Sequence, residues 1–379
     1  MIHRVPERSH RTQAERHQCI VIGAGLLGLS AAWSLSRRGL DTLVLESDGP
    51  GHERSGSKGN ARIFRLGYPD PFYVQMALQA RELWRDLEAL SGQPLLHVTG
   101  QLTFGSEVGA VAQAMSEAGA PGEFLTPAQT AARFPHIAVN GPALVEESSG
   151  VLAADQCLRT LRATGSFEVR SPAQVESVHQ GPDAVTVVLG DGQELFAEVA
   201  VNCAGPRALS LLGGVRCPRA QPSSLQQVAY FTSPVGEPAR PIFIEWGGAM
   251  IYGLPVIGHG LYKVSHHTTG PATAEDNVPY EDDPELVALL TGAVRRILPT
   301  LDPVPVATER CEYDNTSDAD FIIDRIGRVV IGSGTSGHGF KFGPLLGELL
   351  ADLATDTKPG VDLRRFALTR LAPPAPADL

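Results

Sequence analysis

Short continuous apolar runs alternate along the chain with longer stretches in which apolar residues recur every three or four positions. Residues 19–22, Cys-Ile-Val-Ile, form one such run. An unbroken run of this length fits a strand covered on both faces, as in a parallel sheet. It stops at the sequence GAGLLG, 23–28. A helical pattern follows to about Arg38, with Gly39 placed where a left-handed residue would cap it. A second run, 42–45, stops at Glu46. Strand, glycine loop, helix, strand and acid arrive in the order of a βαβ unit. Residues 200–205 predict another strand returning to the same sheet. Residues 329–331 predict one more, followed by a glycine-rich loop over 332–339 and a helix beginning near Pro344, since proline suits a first turn. The stretch around Lys263, apolar and rich in glycine, reads as a strand of a second unit.

Composition narrows the class. A chain of 379 residues fits two closely joined domains. With 43% hydrophobic residues, 40 glycines and 29 prolines, it is globular and rich in turns. A formal net charge of -11 argues against nucleic-acid binding, which needs basic surface to displace counterions. The five cysteines, Cys19, Cys157, Cys203, Cys217 and Cys311, are scattered without a CxxC pair. Neither a disulfide framework nor a metal site is expected, and a reducing cytoplasm is the simplest setting. No run reaches the roughly 18 apolar residues of a membrane span. Residues 1–18 are rich in Arg, His and Gln, lack the apolar core of a secretory signal, and read as a flexible tail.

The glycine loop carries the first chemistry. Gly23 permits a tight turn, Gly25 lets backbone approach a pyrophosphate, and Gly28 lets the helix pack on the strand. The helix N-terminus offers free N–H groups to phosphates. Glu46 follows Gly28 by 18 residues, where a carboxylate can accept hydrogen bonds from a ribose diol. That carboxylate would repel the 2′-phosphate of NADP, and the choice between NAD and FAD stays open at this point. Arg62 and Arg65 are three apart and would share a face if their segment is helical. A guanidinium on a rigid segment can grip a carboxylate through two hydrogen bonds.

Three further segments decide the matter. They are SGSKGNARIFRLGY at 55–68, YGLPVIGHGLYKVSHH at 252–267, and Cys311-Glu-Tyr followed by DFIID at 320–324 and GHGFKF at 337–342. With the fingerprint at 23–28, they resemble the monomeric sarcosine oxidase family. Its relatives oxidise N-methyltryptophan, pipecolate and similar cyclic imino acids within the D-amino-acid-oxidase superfamily of FAD-dependent amine oxidases. The resemblance runs from about residue 19 to about residue 370. It implies a mixed α/β fold, with a Rossmann-like FAD-binding domain and a discontinuous second domain on a largely antiparallel sheet. Residues 19–98, 148–216 and 312–379 would build the first, and 99–147 and 217–311 the second. The resemblance further implies that Arg65 and Lys341 hold a substrate carboxylate, with Tyr252 beside them and Arg62 closer to the flavin. It makes Lys263 the oxygen-activating cation and gives His267 an orienting role near the substrate amine. It joins Cys311 to the flavin by a thioether. The loop carrying Gly337, His338 and Gly339 would meet the pyrimidine end of the flavin.

Two departures bear on the substrate. Lys58 and Asn60 stand where relatives commonly place histidine and aspartate. Leu254 stands where an aromatic side chain is expected, and Trp246 is the candidate to replace it. The expected activity is oxidation of a secondary-amine or cyclic amino acid, with sarcosine and bulkier substrates both open. Hydride would pass to FAD, and O2 would be reduced to hydrogen peroxide. The alternative is a dehydrogenase of the same superfamily with another electron acceptor. A monomer without membrane or nucleic-acid partners is expected.

Overall fold

The computed structural model describes residues 15–49, 52, 55–212, 223–233, 240–248, 250–267 and 281–371. Cys217, residues 1–14 of the expected tail and the stretch 372–379 lie outside them.

The first strand, β1, runs Arg16–Ile22, so it begins inside the expected tail. Its side chains divide between two cores: Cys19 and Val21 enter one, Ile20 and Ile22 the other. This is why its apolar run is continuous rather than alternating. The helix α1, Leu26–Arg37, follows the glycine loop and is buried from Leu26 to Leu35. It ends as the pattern anticipates. Gly39, at φ 78°, donates to the Ser36 carbonyl at 3.0 Å, and Leu40 reaches back to the Leu35 carbonyl at 3.3 Å. That pair of bonds is a Schellman ending, which satisfies carbonyls the helix leaves free. Strand β2, Thr42–Leu45, then pairs parallel to β1.

These elements belong to an eight-stranded sheet. Strand Glu194–Asn202 pairs parallel to β1 on its other side, and Val329–Ser333 continues the parallel set beyond it. Helix Gly343–Ala354 carries Pro344 in its first turn and packs against α1. The contact is close: a Cβ at Gly347 would lie 2.4 Å from the Ser30 carbonyl carbon.

A second eight-stranded sheet runs in the order Ala307–Tyr313, Ser224–Thr232, Leu261–His266, Ile251–Val256, Ile242–Trp246, Gln101–Gly105, Ala143–Glu146 and Glu123–Leu125. All its pairings are antiparallel except that between Ile242–Trp246 and Gln101–Gly105. Lys263 therefore sits on an internal strand rather than at an edge. A small sheet of β3, Arg62–Phe64, with Gly150–Leu152 and Leu96–Val98 stands apart from the two large ones. The helix α2, Pro71–Ser91, starts just beyond β3, capped by Asp70, whose carboxylate accepts the Phe72 N–H at 2.9 Å. Among the described residues, no helix is long and apolar enough to cross a membrane.

Candidate active site

One cavity of about 400 Å³ is lined from the glycine loop at one end to both large sheets and the C-terminal loop at the other. Gly23, Gly25, Glu46, Arg62, Arg65, Tyr252, Lys263, His267, Cys311, Gly337, His338, Gly339 and Lys341 all reach its wall. Gly28 does not. A Cβ there would lie 1.9 Å from the Gly23 carbonyl oxygen, so its place is the packing of helix on loop. Gly23 has a φ of 95°, and a Cβ on it would meet the Cys203 carbonyl oxygen at 2.6 Å. Only glycine fits both positions.

Glu46 is buried, and its Oε2 accepts the Ala24 N–H at 2.7 Å. The acid that ends β2 is thereby tied to the loop that ends β1. The Gly25 N–H has no acceptor among the described residues, while Leu26 donates to the Ser57 hydroxyl at 2.9 Å. At the far end, the N–H groups of Gly337 and Gly339 are likewise without acceptors among the described residues. A dinucleotide cofactor fits this wall: donors at both ends, a carboxylate at one, and glycines where a Cβ would intrude.

Arg62 lies on a strand, so the helical condition for its sharing a face with Arg65 is not met. β3 is extended, and its pairing with Gly150–Leu152 fixes it so. The Arg62 guanidinium donates to the carbonyls of Gly56 at 3.1 Å, Lys58 at 2.6 Å and its neighbour Ala61 at 3.0 Å. It therefore braces the loop that carries Lys58. Arg65 lies beyond the strand and is buried. Its guanidinium lies 3.9 Å from the Tyr68 ring centre and 5.0 Å from that of Trp246. It also donates to the Gly67 carbonyl. Trp246 thus packs behind Arg65 and is not part of the cavity wall, so it does not replace the missing aromatic at Leu254. Leu254 is paired across the strands with Lys263, and Ile244 and Met250 also line the cavity.

Lys341 is buried and donates to the Tyr68 hydroxyl at 3.0 Å and the His338 carbonyl at 2.8 Å. Burial, and then the charge of Arg65, hold its ammonium well below the usual lysine range. Lys263 is depressed to about 8, by burial first and then by Arg62. His267 is brought down to about 4 by burial, with Arg65 and Lys341 adding to the effect. It is neutral near pH 7. His338 is held well below its ordinary value by burial and then by Lys341. Among the described residues, none of Arg62, Arg65, Lys263 and Lys341 forms an ion pair with a carboxylate. Buried basic groups without an ion-pair partner are costly to charge unless an anion enters.

Cys311, on strand Ala307–Tyr313, is part-exposed at the wall. Cys19, Cys157 and Cys203 are buried and free. Burial pushes the thiols of Cys19 and Cys203 up to about 12 and that of Cys157 up as well. Tyr252 is within hydrogen-bonding reach of Ser265 and Tyr313, and burial raises both tyrosines. Sequence reasoning passed over Tyr313 and Asp314. A Cβ on Gly337 would lie 2.0 Å from the Tyr313 ring, so this tyrosine shapes the loop. Asp314 is also on the wall and accepts from Thr335 and Ser336 of the same loop, through its carboxylate and its carbonyl respectively. Their signal was adjacency to Cys311.

The family model for DAO, FAD dependent oxidoreductase, matches residues 18–353. The chain is 32% identical to the peroxisomal sarcosine oxidase of Homo sapiens, over 94% of this chain and 97% of that protein. It is 30% identical to the monomeric sarcosine oxidase of Bacillus sp. (strain B-0618), over 93% and 96%. It is 28% identical to the N-methyl-L-tryptophan oxidase of Salmonella arizonae, over 94% and 100%. Among solved structures, L-proline dehydrogenase from P. horikoshii superposes with a TM-score of 0.84 at 20% identity, covering 94% of this chain and 98% of that one. NikD, an amino acid oxidase of nikkomycin biosynthesis, superposes with a TM-score of 0.80 at 24% identity, covering 93% and 97%. The fold is thus the mixed α/β fold of these proteins.

Proposed function

Because the chain belongs to the family of FAD-dependent oxidoreductases, we propose that it oxidises the C–N bond of a small N-methyl or cyclic amino acid and passes the electrons to O2. The observation that carries this reading is that Arg62, Arg65, Lys263 and Lys341 line one cavity and, among the described residues, none of them is ion-paired to a carboxylate. A substrate carboxylate supplies one missing charge, and a flavin that becomes anionic on reduction supplies another. The sarcosine and N-methyltryptophan oxidases among its relatives support the substrate class.

Bound FAD supplies a hydride acceptor that O2 can regenerate with release of hydrogen peroxide. Gly23 and Gly25 would leave space for its pyrophosphate, Glu46 would accept from its ribose, and Gly337 and Gly339 would donate to its pyrimidine end. Cys311 is the residue for a thioether, being the described cysteine that is part-exposed on the wall. Arg65 and Lys341 grip the substrate carboxylate and so fix which carbon faces the flavin. His267, neutral at working pH, accepts a hydrogen bond from the substrate amine. Lys263 keeps a positive charge where O2 takes up electrons and so lowers the barrier to superoxide-like charge. In this assignment the cofactor end belongs to residues 19–98, 148–216 and 312–379, and the substrate end to 99–147 and 217–311. The protein works as a monomer, as one relative's name states of itself. We place it in the cytoplasm, in keeping with four free cysteines among the described residues.

Two assays test this reading. Under air, turnover should release one hydrogen peroxide per amine oxidised. Flavin reduction without peroxide would instead assign a dehydrogenase. After acid precipitation the yellow flavin should stay with the protein and be released by Cys311→Ala; release from the unaltered chain would remove the thioether.

A further inference from the structure

Arg65 and Lys341 come from segments far apart in sequence, and the residue that joins them is not on the cavity wall. We propose that Tyr68 is a positioning residue, whose ring seats Arg65 and whose hydroxyl couples Lys341 to His338 to make one rigid clamp for a carboxylate. The proposal rests on the reading of Arg65 and Lys341 given above and adds the element that sets their geometry.

Tyr68 is 6% exposed and lies behind the wall. Its ring centre is 3.9 Å from the Arg65 guanidinium carbon, close enough for a cation over an aromatic face. Its hydroxyl has two polar neighbours, Lys341 Nζ at 3.0 Å and His338 Nδ1 at 3.3 Å.

The directions of these bonds are fixed by chemistry. An ammonium can only donate, so the Tyr68 oxygen accepts from Lys341. The His338 Nε2 lies 2.9 Å from the Ala319 carbonyl oxygen and must donate to it. In the neutral ring, Nδ1 is then the acceptor, and the Tyr68 proton points to it. The chain runs Lys341 to Tyr68 to His338 to Ala319, each member with its proton assigned. Lys341 gives a second N–H to the His338 carbonyl at 2.8 Å. Its third N–H is left for a ligand.

Protonating His338 would put a donor against the Tyr68 oxygen and leave the tyrosine proton without an acceptor. The Ala319 carbonyl thus sets the tautomer of His338, and the Tyr68 hydroxyl, donating to His338, holds Lys341 in one place. The backbone below is equally constrained. The buried Glu146 Oε2 accepts the N–H groups of Leu66 at 2.9 Å and Gly67 at 3.0 Å. A Cβ on Gly67 would lie 2.4 Å from Glu146 Oε1. Arg65 closes the turn by donating to the Gly67 carbonyl.

A tyrosine kept for packing alone would need its ring but not its hydroxyl. The ring stacks on Tyr73 at 5.2 Å and lies 5.8 Å from Phe342, contacts that phenylalanine would keep. The test uses Tyr68→Phe holoenzyme, with acetate as the probe and the visible flavin spectrum as the readout. Tyr73→Phe is the control: its hydroxyl donates to Asp320 at 2.8 Å and does not touch Lys341. Acetate should bind Tyr68→Phe about fivefold or more weakly than wild type, the scale of one lost hydrogen bond. Tyr73→Phe should match wild type. With the best amino acid of a substrate panel, Tyr68→Phe should raise the half-saturating concentration by a similar factor and change the limiting rate of flavin reduction less than twofold. Equal acetate affinity in wild type and Tyr68→Phe would overturn the role of Tyr68 alone. Wild type that binds no acetate would overturn the carboxylate reading and the clamp with it. Nitrogen-15 spectra of wild type at pH 7 give a check that needs no Tyr68 variant. They should show His338 neutral with the proton on Nε2, and a proton on Nδ1 would contradict the chain.

Discussion

The Glu46 carboxylate accepts the Ala24 N–H at 2.7 Å, so the acid after β2 holds the glycine loop after β1 in place. One oxygen is spent on the loop, and the other accepts from Ser47 and Asp48 at 3.2 Å. Glu46→Gln keeps an acceptor for Ala24 but loses the charge toward a ribose diol. In a Cys311→Ala background, where flavin exchanges freely, FAD affinity should fall about tenfold, the scale of a hydrogen bond to a charged group. Titration of apoprotein with FAD measures it.

Arg65 has no carboxylate partner among the described residues, so replacing it leaves no orphaned acid behind. Arg65→Met should raise the half-saturating amino-acid concentration by about two orders of magnitude, as expected for a lost bidentate charge pair. Arg65→Lys should recover only part of this, because an ammonium cannot present two parallel donors. Stopped-flow reduction under anaerobic conditions reads both.

In the proposed assignment, Lys263 bears on the oxygen half of the cycle. Lys263→Met should leave anaerobic reduction nearly intact and slow reoxidation by about a hundredfold, the scale of losing one preorganised charge-stabilising group. The protonated form is the useful one. With its ammonium depressed to about 8, reoxidation of wild type should fall as pH rises through about 8. Rapid mixing of reduced enzyme with oxygen across pH 6–10 follows this.

His267 makes stability depend on acid. Its folded value of about 4 lies below the ordinary 6.5, so the unfolded chain takes up the proton first as pH falls. Stability present above about 6.5 is lost through the window down to about 4. His267→Asn should flatten this decline, visible as a smaller drop in urea midpoint between pH 7 and pH 5.

The βαβ unit is legible in the sequence because its signals are local: an apolar run, glycines at fixed spacing, a helix stop at Gly39 and an acid at Glu46. The segment holding Arg62 is less so. Its extended form comes from pairing with Gly150–Leu152, a partner far along the chain, and local spacing gives no hint of it. The network around Tyr68 joins residues 270 and 273 apart, so no window of sequence contains it. Glu146 carries a weak signal, an acid closing an otherwise apolar strand, Ala143–Glu146. Its purpose shows only when the N–H groups of Leu66 and Gly67 are seen to need an acceptor. Trp246 shows the opposite failure: an aromatic residue 5.0 Å from the Arg65 guanidinium that does not line the cavity.

Anaerobic titration of the purified flavoprotein with a panel of N-methyl and cyclic amino acids tests the central claim most directly. At least one member should bleach the oxidised flavin band fully, and air should restore it with release of hydrogen peroxide. A flavin that no amino acid of the panel reduces would contradict the assignment of this site to amine oxidation.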